Sequence, residues 1–214
     1  MSIKVNEIFY SIQGESSYSG YPCVFVRLSG CNLRCSYCDS RYAYAEGEEL
    51  SIDRIIGKVE TFGCSIVEVT GGEPLLQEET PVLVKRLLDR GYTVLLETNG
   101  SMNIGKVDNR CIRILDIKCP SSGEADRDDF GNLDRLTATD EIKFVIGTRD
   151  DYEYAKKALD RINQTSPVDQ IHFSPVFGKL LPEKLASWIL EDGLKARLVL
   201  QIHKIIWPGE NRGV

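Results

Sequence analysis

Short runs of apolar, mostly β-branched residues alternate along the chain with longer amphipathic stretches. Each run has the length of a short strand, and its continuous apolar character is typical of strands that are covered on both faces of a sheet. We therefore predict seven strands, at Val24–Leu28, Ile66–Val69, Thr93–Glu97, Ile112–Ile117, Ile142–Ile146, Gln170–Phe173 and Arg197–Ile202.

The amphipathic stretches carry the signals of helix ends. One begins at Ser51, a good N-cap, and ends at Gly63. Its apolar stripe consists of Ile52, Ile55, Ile56 and Val59. A second stretch has Thr80 as its N-cap, Pro81 at the first helical position and Gly91 just after its end. Two further helices are predicted at Asp150–Asn163 and Pro182–Asp192.

Strands that alternate with helices are typical of βα units on a parallel sheet. Seven strands with fewer than seven full helices indicate a barrel that is partly open. We therefore predict the α/β class, with an incomplete, TIM-type βα barrel of mostly parallel strands, in a single domain over residues 1–214. The stretch Lys118–Asp140 is charged and rich in glycine and serine, which predicts a loop or lid.

Composition limits the classes of partner. The net charge is −6 and there is no dense run of Lys and Arg, so neither duplex nucleic acid nor an anionic membrane surface is an expected partner. The longest apolar runs fall far short of the roughly 18 residues of a spanning helix, and the N-terminus lacks a signal-peptide core. These features favour a cytoplasmic protein that acts on a free small molecule.

Three of the seven cysteines are clustered, as Cys31-x3-Cys35-x2-Cys38, directly after the first predicted strand. In a reducing compartment such clustering indicates metal binding. A structural zinc site needs four ligands, and so does an iron–sulfur cluster that only transfers electrons. Three thiolates leave one iron of a cluster open to substrate, which favours a reactive site. The alternative is a zinc knuckle that borrows Cys23, Cys64 or a carboxylate as its fourth ligand.

Polar residues follow most of the predicted strands. They are Cys31, Thr70, Thr98, Asn99, Lys118, Ser174 and His203. Because the active sites of βα barrels are built at the carboxyl ends of the strands, we expect these residues on one rim of the molecule.

The cysteine motif, with Tyr37 just before its last cysteine, resembles that of the radical S-adenosylmethionine superfamily. The strand that runs into Thr70-Gly71-Gly72-Glu73-Pro74 resembles that superfamily's motif for the methionyl amino group. The resemblance implies a 4Fe-4S cluster whose open iron is chelated by S-adenosylmethionine.

The N-terminal segments narrow the resemblance. The residues from Glu7 to Glu15, including Gln13-Gly14-Glu15, and those from Pro22 to Cys35 are similar to the 7-carboxy-7-deazaguanine synthase family. The similarity extends through Cys38-Asp39-Ser40 to His203–Trp207 and the terminal Arg212-Gly213-Val214. It implies a lyase of queuosine (7-deazapurine) biosynthesis, which converts 6-carboxy-5,6,7,8-tetrahydropterin to 7-carboxy-7-deazaguanine with loss of ammonia. The family departs from this chain at Ser16, where it commonly has glycine.

The resemblance also implies site residues. Cys31, Cys35 and Cys38 would hold the cluster, and Ser40 would bind Mg²⁺, although a helix N-cap is an equally good interpretation of Ser40. The positions implied for S-adenosylmethionine are Tyr37, Cys38, Asp39, Gly72, Asp116, Ile117, Lys118, Phe173, Ser174, Pro175 and Val176. Those implied for the pterin are Ile12, Gln13, Gly14, Glu15, Arg27, Thr70 and Val214, the last through the terminal carboxylate.

Two of these residues have alternatives. Arg27 lies inside an apolar strand, so it needs either a bound anion or a buried carboxylate as its partner, and we favour the substrate's carboxylate. Lys118 equally suits a surface lysine whose stem covers apolar atoms.

Two rival functions remain open. A glycyl-radical activating enzyme has the same cysteine spacing but needs a large surface for its protein substrate. A non-catalytic iron–sulfur or zinc protein has no use for Gln13-Gly14-Glu15 or for the Gly-Gly-Glu-Pro turn. The favoured function requires a reducing electron donor protein, and the open edge of the barrel predicts a homodimer.

Overall fold

The computed structural model describes the backbone of residues 1–214 and the side chains of all of them except Asn163 and Thr165. In this described backbone nine strands form one sheet. The strands are β1 Ser2–Ile12, β2 Pro22–Leu28, β3 Glu48–Ser51, β4 Ile66–Gly71, β5 Thr93–Thr98, β6 Ile112–Ile117, β7 Glu141–Ile146, β8 Gln170–Pro175 and β9 Arg197–Leu198. The α-helices are α1 Ile52–Glu60, α2 Thr80–Leu88, α3 Arg149–Thr165, α4 Pro182–Glu191 and α5 His203–Ile206.

The sheet has the order β3-β1-β2-β4-β5-β6-β7-β8-β9. From β2 to β9 all neighbouring strands are parallel, whereas β1 is antiparallel to both β2 and β3. The two end strands, β3 and β9, do not pair with each other in the described backbone, so the barrel is open. The predicted partial barrel of mostly parallel strands is confirmed.

Three predictions about elements were wrong. Neither β1 nor β3 was predicted, and the last strand covers only Arg197–Leu198, because the chain turns at Ile202 into α5. The polar stretch Lys118–Asp140 is not merely an exposed loop. It contains three short 3-10 helices, and it buries Leu133, Leu136 and Asn132.

The helices follow the predicted signals with one exception. In α1 the Ser51 side chain accepts a hydrogen bond from the Arg54 backbone N–H, and the predicted apolar stripe is buried. In α2 the N-cap is Glu79, and Thr80 is already helical. The buried Thr80 hydroxyl donates instead to the Pro74 carbonyl at 2.6 Å, which ties α2 to the turn after β4.

The strands alternate between an outer apolar face and an inner polar one. In β4, Val67 and Val69 belong to the core that α1 and α2 cover, while Glu68 and Thr70 face the inside of the open barrel. A second apolar core joins β6–β8 to α3 and α4. This alternation leaves a polar interior in which a site can form. In the part of the chain that the structure describes, no helix is both long and apolar enough to cross a membrane.

Candidate active site

A cavity of about 630 Å³ opens at the carboxyl ends of the parallel strands. Most of the residues predicted for the site line it, namely Ile12, Gln13, Gly14, Glu15, Arg27, Cys31, Cys35, Tyr37, Cys38, Asp39, Ser40, Thr70, Gly72, Asp116, Lys118, Val176 and Val214. Four predicted residues do not line it, namely Ile117, Phe173, Ser174 and Pro175. Ile117 and Phe173 point to the other side of their strands, where they are buried in the second apolar core.

The three clustered cysteines lie on the loop after β2, and all of them are half-buried. The Cys31 Sγ accepts hydrogen bonds from the Leu33 N–H at 3.4 Å and from the Asn99 amide at 3.9 Å. Burial raises the pKa of Cys35 to about 11, and the Lys118 ammonium acts in the opposite direction. Cys35 is therefore a protonated thiol by itself, and a bound cation would favour its thiolate.

The arrangement of these thiols distinguishes a cluster from a single ion. Within the described side chains, no three Cys, His, Asp or Glu residues are placed to bind one metal ion. A zinc knuckle needs four ligands around one point, so the geometry does not suit it. The three thiols do line one cavity, which suits an iron–sulfur cluster that has three protein ligands.

The Gly71-Gly72 pair brings the end of β4 against the cysteine loop. A Cβ on Gly72 would overlap the Gly30 carbonyl oxygen, and Gly71 has a φ of +152° beside Leu28. The glycines are thus required by close packing of backbone on backbone, in addition to any approach to a ligand. The next residue, Glu73, is fully buried.

Glu73 connects two strand ends to the cysteine loop. Its carboxylate accepts hydrogen bonds from the Thr98 hydroxyl at 2.9 Å and from the Asn99 N–H at 2.7 Å. Asn99 in turn donates to Asn32 at 3.1 Å and to the Cys31 sulfur. The turn after β4 therefore fixes the position of the first cysteine.

Residues predicted for S-adenosylmethionine form a second wall. Lys118 is 8% exposed and its ammonium lies 2.7 Å from Asp116, so the interpretation of Lys118 as a surface lysine is wrong. The Tyr37 hydroxyl and the second Asp116 oxygen are buried, and neither has a hydrogen-bond partner among the described residues. Two unpartnered polar atoms on a cavity wall fit a polar ligand at this position.

Ser40 precedes a 3-10 helix, Arg41–Tyr44, but its side chain does not cap that helix. The hydroxyl donates to Asp39 Oδ1 at 3.0 Å, and the other Asp39 oxygen lies 2.6 Å from the Lys204 ammonium. Burial raises the pKa of Asp39, but Lys204 outweighs it and the net pKa is well below its ordinary value. The structure thus contradicts the helix-cap interpretation and leaves oxygen atoms of Ser40 and Asp39 at the cavity.

The floor of the cavity holds three carboxyl groups and one ammonium. Lys143 lies 2.5 Å from Glu15 and 2.7 Å from Glu97, and it is 7% exposed. Burial alone would raise the pKa of Glu15, but Lys143 lowers it overall, and the pKa of Lys143 is raised by both carboxylates. The third carboxyl group, Glu68, accepts a hydrogen bond from the Gln13 amide.

Arg27 lines the cavity, but its partner differs from the favoured prediction. Its Nε lies 2.8 Å from Glu7 on β1, and its guanidinium lies over the rings of Phe9 and Tyr42. The sequence could not supply this carboxylate because β1 had not been predicted. Glu7, a half-buried carboxylate of the fold, is the protein partner that the structure shows for Arg27.

The C-terminal segment covers part of the cavity. Gly14 packs against the His203 ring so closely that a Cβ would overlap it, and the Ile202 N–H donates to the Gly14 carbonyl at 3.1 Å. Farther along, Arg212 pairs with Glu46 at 2.7 Å, and Val214 reaches the cavity wall. The segment after β9 therefore closes over the Gln13-Gly14-Glu15 loop.

Sequence reasoning missed several residues of the floor and the mouth, namely Glu68, Glu97, Lys143, Gln201 and Lys204. The signal for three of them was present, since Glu68, Glu97 and Lys143 are charged residues within apolar strands. Such residues are rarely buried unless they are paired, and here they face one interior.

Comparisons with known proteins agree with this geometry. The family model described as the Radical SAM superfamily matches residues 25–184. The 7-carboxy-7-deazaguanine synthase of Koribacter versatilis is 45% identical over 226 residues, which cover 99% of this chain and 100% of that protein. The 7-carboxy-7-deazaguanine synthase of Chlorobaculum tepidum is 45% identical over 216 residues, covering 99% and 97%.

Among solved structures, the crystal structure of QueE from Escherichia coli has the same fold, with a TM-score of 0.77 at 21% identity over 94% of each chain. The sequence resemblance described above is therefore confirmed over nearly the full length. The chain belongs to the radical SAM superfamily and, within it, to the 7-carboxy-7-deazaguanine synthase family.

Proposed function

We propose that this chain converts 6-carboxy-5,6,7,8-tetrahydropterin to 7-carboxy-7-deazaguanine and ammonia by radical S-adenosylmethionine chemistry. One observation carries the proposal. A single cavity of about 630 Å³ contains both the cysteine triad and the Gln13-Gly14-Glu15 loop. An electron carrier needs the first of these features but has no use for a polar interior pocket beside it.

Cys31, Cys35 and Cys38 hold the 4Fe-4S cluster, and Tyr37, Asp39, Gly72, Asp116, Lys118 and Val176 form the S-adenosylmethionine wall. The chemistry that this group would supply, when bound and reduced, is the reductive cleavage of S-adenosylmethionine to a 5′-deoxyadenosyl radical. The chain's own contribution is position and exclusion of water. The Gly72 backbone lies against the cysteine loop, and the C-terminal segment covers the mouth.

The pterin occupies the floor, next to Gln13, Glu15 and Thr70. Lys143 forms ion pairs with Glu15 and Glu97 there, so the floor offers fixed acceptors to the amino and ring N–H groups of the pterin. Arg27 lines the same cavity and uses only its Nε on Glu7, so its other guanidinium nitrogens would be available to the substrate's carboxylate. Val214 closes the site from the C-terminus.

Ser40 is a ligand of Mg²⁺ in this proposal, with the substrate's oxygens and water completing the shell of a hard cation. Two observations support this. Ser40 lines the cavity, and its hydroxyl does not cap the adjacent 3-10 helix. We expect Ser40→Ala to raise the Mg²⁺ concentration needed for half-maximal product formation. Ser187→Ala, an exposed serine on α4 outside the cavity, is the control. Equal Mg²⁺ curves for both variants would exclude Ser40 as a ligand.

The rival functions are not favoured. A glycyl-radical activating enzyme needs a large surface for its protein substrate, whereas the cavity here has a floor of paired charges, which suits a small polar heterocycle. A homodimer, a single domain and a protein electron donor remain predictions. Sedimentation at working concentration tests the first, because a 24.0 kDa species would exclude the dimer.

The function is tested anaerobically. The protein is reconstituted with iron and sulfide, reduced, and mixed with S-adenosylmethionine, Mg²⁺ and the carboxypterin, and the products are followed by mass spectrometry. We expect 7-carboxy-7-deazaguanine from the wild-type enzyme and from Cys64→Ala, a cysteine outside the cavity, but none from Cys35→Ala. Formation of 5′-deoxyadenosine with the pterin unchanged would exclude the substrate but retain the radical chemistry.

A further inference from the structure

Glu68 is a carboxyl group in the middle of an otherwise apolar strand. Its neighbours Val67 and Val69 are fully buried in the core under α1 and α2, while Glu68 faces the cavity and is 3% exposed. A carboxylate at such a position is costly unless a cation or several hydrogen bonds offset the lost water. The groups that contact the Glu68 carboxyl therefore indicate its role.

No cation of the described residues is bonded to Glu68. The Lys143 ammonium lies between Glu15 and Glu97, and the Arg27 Nε is bonded to Glu7. Burial, together with the nearby carboxylates of Glu97 and Glu15, raises the pKa of Glu68 well above its ordinary value. Glu68 therefore takes up a proton more readily than an ordinary carboxyl group does.

The Gln13 side chain fixes one face of this acid. Gln13 Nε2 donates to Glu68 Oε2, and Gln13 Oε1 accepts from the Glu15 N–H at 2.8 Å, so the amide cannot turn over without losing both bonds. Among the described residues the other Glu68 oxygen, Oε1, has no hydrogen-bond partner. It is the part of the floor left to a ligand.

The free oxygen of Glu68 is an acceptor that lacks an N–H donor. The exocyclic amine of an aminopyrimidinone is a donor of that kind. We propose that Glu68 is a further substrate-binding residue, whose free oxygen binds the 2-amino side of the pterin and selects it against rings that lack this amine. The inference rests on the proposed function, since it names an edge of that substrate.

The role predicts a specific kinetic pattern. Glu68 lies on the floor and contacts none of the three clustered cysteines, so its loss weakens pterin binding and leaves radical formation intact. In Glu68→Gln the new carboxamide oxygen accepts from Gln13 Nε2, so the atom that faces the ligand becomes an NH2 donor, and the hydrogen bond to the 2-amino group is lost. Glu68→Leu keeps the volume but removes both polar atoms.

The test measures KM and kcat for these two variants with the carboxypterin and with its lumazine counterpart, in which oxygen replaces the 2-amino group. We expect Glu68→Leu to raise the pterin KM about tenfold or more, with kcat within about threefold of wild type. We expect the wild-type preference for pterin over lumazine to fall by a similar factor in both Glu68→Leu and Glu68→Gln. Uncoupled formation of 5′-deoxyadenosine stays unchanged.

Glu141→Gln is the matched control, because Glu141 is also a buried strand glutamate but lies outside the cavity. If Glu68→Leu does not fold, as judged by circular dichroism, Glu68→Val replaces it, since β4 already accepts valine on both sides of this position. An unchanged pterin-to-lumazine ratio in the apolar variant overturns the inference, even if overall activity falls. A wild-type enzyme that cleaves S-adenosylmethionine but neither binds nor converts the pterin overturns the proposed function, and the inference with it.

Discussion

The α-carbon of Gly72, at the end of β4, packs directly against the carbonyl group of Gly30 at the start of the cysteine loop. A Cβ on Gly72 would overlap the Gly30 oxygen and lie 2.7 Å from the Cβ of Cys31. The Gly30 oxygen belongs to the backbone, and the Cys31 Cβ is bonded directly to it. Neither atom can therefore move aside without displacing the cysteine loop. The second glycine of the Gly-Gly-Glu-Pro turn thus determines where the first cysteine is placed.

We therefore expect Gly72→Ala to displace the cysteine loop and to lower S-adenosylmethionine cleavage by about a hundredfold, as shifts near 1 Å do in catalytic sites. The measurements are iron content after reconstitution and 5′-deoxyadenosine formation. Gly57→Ala is the control, since a Cβ there meets nothing within 4 Å. Normal iron content and cleavage in Gly72→Ala would show that the loop is not held by this contact.

Ser16 is the one non-glycine residue of the described backbone with a positive φ, at +59°. The left-handed region costs a side chain about 1–2 kcal/mol. The Ser16 hydroxyl offsets part of that cost by accepting from the Tyr18 N–H at 3.0 Å. This conformation explains why the family's glycine fits at the position.

A comparison of alanine with glycine isolates the backbone cost, because neither has the hydroxyl. At position 16 we expect the glycine variant to be more stable to urea than the alanine variant by about 1 kcal/mol. At position 57, in the middle of α1, the order reverses, and alanine is the more stable by about 1 kcal/mol. The same order at both positions would contradict the assigned backbone strain.

The sequence predicted helices and strands well where their apolar residues recur with a single, regular spacing. The stripe of α1 needed only its 3.6-residue spacing, and its residues are buried as expected. In β1 the two-residue alternation fails, because the register with β2 shifts between Val5 and Glu7 and puts Ile8 out of phase with Ile3 and Val5. β3 has four residues and buries only Leu50, too little for a strand signal.

The site was predictable where a motif places its members close together, as in the cysteine loop and the turn after β4. The floor was not, because its chemistry comes from pairs across distant strands. Lys143 meets Glu15 and Glu97 only after β7 and β5 have entered the same sheet. A sequence shows that a strand contains a charged residue. It does not show whether that side chain faces the interior of the barrel or which residue it pairs with there.

Arg113 at the start of β6 and Asp140 before β7 form an ion pair in which both side chains are 0% exposed. Asp140 accepts from Arg113 Nη2 at 2.5 Å and Nε at 3.1 Å, and from the Arg113 and Thr137 backbone N–H groups at 2.7 Å. We expect Asp140→Ala to lower the free energy of unfolding by about 3–5 kcal/mol, because it leaves a buried guanidinium without its partner. Urea denaturation at neutral pH measures this.

Two comparisons separate the missing charge from lost volume. Replacing both partners with leucine should destabilise the protein less than Asp140→Ala, since no buried charge is then left over. Glu48→Ala, which removes the exposed partner of Arg54, should cost under about 1 kcal/mol. An Asp140→Ala effect as small as that of Glu48→Ala would mean that water reaches Arg113.

His172 on β8 is 1% exposed, and neither of its ring nitrogens has a hydrogen-bond partner among the described residues. Burial lowers the pKa of His172 to about 4, and Arg197 and Lys143 add to the effect. The unfolded histidine takes up a proton near pH 6.5, while the folded one stays neutral until about pH 4. Between these values the unfolded state binds more protons, so stability falls as the pH falls.

We expect His172→Leu to remove this dependence. From pH 7 to pH 5 the wild-type protein should lose about 2 kcal/mol more unfolding free energy than the variant does. Glu141, whose oxygen lies 3.3 Å from the His172 ring, has a pKa raised by burial and so acts with the opposite sign. The control compares His172 with His172→Leu in proteins that both carry Glu141→Gln. The titration of Glu141 then cannot contribute to the difference in stability. Parallel stability curves for wild type and His172→Leu over this range would show that the folded histidine is protonated as readily as the unfolded one.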